Sequence, residues 1–115
     1  MKSSELNRLL VKSFPNLNDA YTEEVEWQEG DNTGSHIVYG DVFTPHLVNC
    51  ISNDSEEEMS KALSYIEELL VLEDSYVDEV VAFSILESIA YLFEEKQSLI
   101  DLLGEKTKLV MKDFL

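Results

Sequence analysis

Apolar residues recur at three- and four-residue spacing along almost the whole chain, the mark of amphipathic helices. The first stripe, Leu6, Leu9 and Leu10, predicts a helix over about 4–14. Pro15 stops it, because proline pushes the preceding residue out of helical geometry. Asn16 is placed to cap a second helix to about 29, with Leu17, Ala20, Tyr21 and Val25 inward. GDNTGS (30–35) is a loop by composition. HIVYGDVF then reads as a short helix, with a short strand as the alternative. Thr44 follows as N-cap, with Pro45 as the first residue of a helix to about 52.

The second half carries the longer helices. Ser55 and Glu58 have capping-box spacing, and Glu56, Glu57 and Glu58 suit the positive end of a helix dipole. That helix runs to about 73, with Met59, Leu63, Ile66 and Leu70 inward and Glu57, Lys61, Ser64 and Glu68 outward. Asp74 or Ser75 caps the next, to about 95. This helix is apolar on most sides: Val77, Val80, Val81, Phe83, Ile85, Leu86, Ile89, Leu92 and Phe93. Its exception is one narrow polar stripe, Ser84, Glu87, Ser88 and Tyr91. SLIDLLG is a short helix ended by Gly104, and KTKLVMKDFL a final one. The expected fold is a single all-α domain over 1–115, of about five to seven helices. It forms either a curved stack of helical hairpins (an α-superhelix) or a bundle. The polar stripe favours the curved stack.

Charge changes this picture. The chain holds 24 acidic and 8 basic side chains, a net charge of −16. From Ser13 to Glu95 the only lysine or arginine is Lys61, and all acids but Glu5, Asp101, Glu105 and Asp113 lie there. Such a surface repels nucleic acid and anionic membranes, whose binding needs clustered cations. It attracts a basic protein partner and speeds the encounter. The 44% apolar content still sustains a core. A lone cysteine, Cys50, no secretory leader and no apolar run of membrane-spanning length predict a soluble, cytoplasmic protein.

The reactive residue types concentrate in HIVYGDVFTPHLVNC (36–50). His46 and Cys50 share a helix face by their four-residue spacing, and both could hold zinc. The sequence offers no evident further ligand: there is no second cysteine, His36 lies before the glycine-containing turn, and Asp41 is a hard ligand poorly matched to thiolate. A Cys–His nucleophile pair lacks an orienting third group, and the negative field disfavours the thiolate. EGDNTGSH is neither a phosphate loop nor an EF-hand. Cys50 is therefore expected in the core, with no metal, no cofactor and no catalytic residue, and the chain is expected not to be an enzyme.

FPNL (14–17), GDVFTPHL (40–47) and LLGEKTKLV (102–110), set around an acidic helix, resemble the small all-α immunity proteins encoded beside bacterial contact-dependent and polymorphic toxins. The resemblance spans nearly the whole chain. It implies stoichiometric inhibition of a cognate basic toxin domain, a nuclease by expectation, with the acidic protein covering its cleft. The expected carboxylate rim is Glu57, Glu68, Asp74, Asp78 and Glu79, beside the polar stripe that carries Glu87. Ser84 and Ser88 lie in the same stripe, and Tyr76, Tyr91 and Trp27 are the anchors, Trp27 with a core position as its alternative. The alternative function is a helical adaptor or regulatory protein that takes a cellular partner in an apolar groove.

Overall fold

Helices account for nearly all of the backbone in the computed structural model, which describes residues 1–115 and contains no strand. Helix α1 (Ser3–Ser13) buries Leu6 and Leu10, as its stripe requires. It also buries Asn7 completely. The Asn7 amide donates to the carbonyls of Asp31 (3.0 Å) and Thr33 (2.6 Å) and its Oδ1 accepts from the Ser35 hydroxyl (2.8 Å), which pins the 30–35 loop to α1. A 3-10 turn, Pro15–Leu17, then leads into α2 (Asn18–Glu26). Asn16 is consequently no cap: the proline-led turn takes its place. Ala20 is exposed, and so is Trp27, which lies beyond the end of α2. Gly30 sits at φ +59°, a left-handed conformation that suits glycine, and begins the turn that returns to α3.

Helix α3 (Ser35–Val38), a π turn (Tyr39–Phe43) and α4 (Thr44–Ser52) form one continuous helix. Thr44 and Pro45 thus lie inside a helix rather than at its start. Proline has no N–H to give to the carbonyl four residues back. The register slips by one residue just before it, and the Thr44 N–H bonds the Tyr39 carbonyl instead. The second long helix repeats the device: α6 (Ser75–Glu79), a π turn (Val80–Leu86) and α7 (Glu87–Glu95) run on without a break. The two π turns face one another. Thr44 Oγ1 donates to the Ser84 carbonyl (2.8 Å), and His36 Nδ1 meets the Ser84 hydroxyl at 2.7 Å.

Helix α5 (Glu56–Val71) buries Met59, Leu63, Ile66 and Leu70, and its outer face carries Glu57, Lys61, Ser64 and Glu68. The Ser55 side chain makes no capping bond, so the capping-box expectation fails there. Asp74 does cap its helix, accepting from the Val77 N–H at 3.1 Å. A 3-10 stretch, Gln97–Leu102, and α8 (Glu105–Met111) close the chain. Thirty buried apolar residues form one core, around which the helices close. The radius of gyration is 13.4 Å. A compact domain of this length has about 13 Å. The chain is thus a single compact all-α domain, as expected.

Candidate functional site

One groove combines exposed apolar side chains with carboxylates. Leu70 from the end of α5, Ala82 from the second π turn and Val110 from α8 line it. Phe83 and Leu109 rise beside them, 58% and 67% exposed. Glu73, Asp78 and Glu79 supply negative charge around an opening of about 430 Å³, with Lys106 as the one cation. Lys106 Nζ lies 3.5 Å from Glu73. Oδ1 of Asp78 is closed off from solvent and receives no hydrogen bond from the chain. A second hollow, between Ile100, Leu103 and Met111, shares Leu109 and extends the apolar surface. Phe114 packs edge-on against Phe83, with ring centres 6.3 Å apart.

The ten residues singled out from sequence separate into three sets. Asp78 and Glu79 reach the groove. Glu57, Glu68, Glu87, Ser88 and Tyr91 stand exposed on the faces of α5 and α7. Asp74, Tyr76 and Ser84 are engaged inside the molecule. Asp74 receives the N-terminal ammonium, which holds its carboxyl below the usual range, and caps α6. The Tyr76 hydroxyl accepts from the Ser35 N–H (3.1 Å) and meets the Ser3 hydroxyl at 2.7 Å. Ser84 is buried between the π turns and splits the expected polar stripe. Trp27 is 73% exposed, so its core alternative is not realised.

Phe83 is the groove residue that pattern reading misassigned to the core. Its signal was present: Glu79, Phe83 and Glu87 recur at four-residue spacing, a charged face rather than a buried one. Leu109, Glu73 and Lys106 left no comparable mark.

A second cluster lies at the α4–α5 hairpin. His46 Nε2 and Cys50 Sγ are 3.7 Å apart, and with the Glu58 carboxylate their ligand atoms all lie within 4.8 Å of one another. Cys50 is buried, as expected. Burial, and then the Glu58 charge, pushes its thiol up; burial pulls the His46 imidazole down. Both shifts favour the neutral forms of the two groups.

Fold and surface together define a small, strongly acidic all-α domain with an apolar groove. The chain belongs to the family described as a domain of unknown function, DUF7674, whose model matches residues 7–115. No curated protein and no solved structure matches it. No helix is long and apolar enough to cross a membrane.

Proposed function

We propose that the chain is an immunity-type binding protein that neutralises a basic toxin domain by stoichiometric occlusion, without turnover. The observation that carries this reading is how few of its charges are internally compensated. Of 24 carboxylates, only Glu73 and Asp74 are ion-paired. Of the lysines near the C-terminus only Lys106 pairs with a carboxylate of the middle of the chain, Glu73. An anionic surface of this kind steers a cationic protein toward it and rejects phosphate backbones.

The groove supplies what charge alone does not. Phe83 and Leu109 offer desolvated contact area, and Glu73, Asp78 and Glu79 surround them, the arrangement expected of an apolar anchor inside a polar rim. The partner is thus a basic domain presenting an apolar side chain flanked by cations.

The test takes a basic toxin domain, should one be encoded beside this chain, and titrates its activity with purified protein. Activity should vanish at one equivalent, and binding should weaken steeply as salt rises. Persisting activity at equimolar protein would discard the reading. The mainly apolar lining of the two adjoining hollows favours the second reading, an adaptor for a cellular partner. Binding of a neutral or acidic protein, unchanged by salt, would select it.

A further inference from the structure

The α4–α5 hairpin gathers three donor groups that the binding function does not use. His46 and Cys50 stand one turn apart on α4, and Glu58 comes from the first turn of α5, across the short connection at 53–55. A tetrahedral zinc ion, about 2.3 Å from sulfur and about 2.0–2.1 Å from nitrogen, needs those two ligands about 3.6 Å apart. Nε2 and Sγ already stand at 3.7 Å. The Glu58 carboxylate, within 4.8 Å of both, is on an exposed side chain that can close the remaining distance of about 1 Å by changing rotamer.

Two further contacts prepare the cluster. The His46 ring is wedged edge-on against Phe14, at 5.7 Å, and tilted against Phe43, at 6.5 Å, which fixes its direction. Lys61, the only lysine in that part of the chain, lies over the Phe14 ring at 4.8 Å and forms no ion pair with Glu58, so the carboxylate stays free.

We propose that His46 Nε2, Cys50 Sγ and the Glu58 carboxylate form a three-ligand site for a zinc-class divalent cation, with water in the fourth position. Thiolate and imidazole select zinc and its neighbours over magnesium and calcium, which require oxygen ligands. The thiolate and carboxylate together cancel the ion's charge. On binding, the Cys50 S–H bond breaks, its proton passes to solvent and the sulfur–metal bond forms. His46 gives its Nε2 lone pair and keeps its proton on Nδ1. No electron changes hands.

The experiment adds Co²⁺ to the reduced full-length chain in excess Mg²⁺, which occupies surface carboxylates. A thiolate-to-cobalt charge-transfer absorption should saturate at one equivalent, with release of about one proton per ion, and Zn²⁺ should abolish the band by displacement. Glu58→Gln, on an exposed side chain, should weaken binding by about tenfold or more at unchanged helicity. Cys50→Ser should remove the band. Should that buried change prevent folding, His46→Gln decides, with the same loss expected. Cobalt binding without a sulfur band, or equal affinity in the wild type and either the Glu58 or the His46 variant, would overturn the proposal.

Discussion

Glu67 reaches from α5 to the start of α8 and stands in for its missing N-cap. Its carboxylate accepts from the Lys106 N–H (3.1 Å), the Thr107 N–H (2.9 Å) and the Thr107 hydroxyl (2.8 Å). Burial works to raise its carboxyl, but these donors and the Lys106 charge outweigh that and hold it below its usual value. A carboxylate depressed in the folded state adds stability above its unfolded pKa and loses it as pH falls through the folded one. Glu67→Gln should therefore destabilise the protein near neutrality and flatten its loss of stability below about pH 5, measured by urea melts across pH. Gly104 makes room for this contact: a Cβ there would lie 2.3 Å from the Glu67 side chain. Gly104→Ala should cost about 1 kcal/mol, the usual loss for a helix cap, with the same flattened acid limb. Phe83→Ala should act mainly on binding. Losing only its edge contact with Phe114, it should cost about 1 kcal/mol of folding stability, yet weaken partner binding by about tenfold or more in calorimetry.

The paired π turns decide how the two long helices meet. Slipping to five-residue bonds, as between the Glu87 N–H and the Ala82 carbonyl, displaces the regular four-residue pattern. The Ser84 carbonyl turns to the Thr44 hydroxyl at 2.8 Å, in a buried setting. Thr44→Val keeps the shape and removes the donor. It should cost about 1–3 kcal/mol in denaturant unfolding, with Thr44→Ser recovering most of it. The helix start misread at Thr44 lies at such a place. A threonine–proline pair has the chemistry of a helix start, and only the packing of the second π turn makes it a helix interior.

At the scale of the whole molecule, charge and core act against one another. A single apolar core of thirty residues holds together a chain of net charge −16 with almost no internal ion pairing. Like charges on the folded surface repel, and salt screens them. Thermal stability should rise between about 0.01 M and about 1 M salt, as the Debye length falls from about 30 Å to about 3 Å. Over the same range, affinity for a basic partner should fall. Opposite slopes in a melting series and a binding series separate electrostatic docking from apolar docking, which salt leaves unchanged or strengthens.

Helix periodicity, the inward positions of α1 and α5, the Asp74 cap and the clearing of cations from the middle of the chain are local properties. Each depends on spacing of a few residues or on composition, and each was legible in the amino-acid order. His46 and Cys50 could be placed on one face for the same reason. Glu58 could not be joined to them, because its approach requires α5 to fold back on α4. The burial of Ser84 and the packing of the helices about one core likewise depend on contacts between segments far apart in the chain. Spacing along a helix says which side chains share a face; only packing says what that face meets.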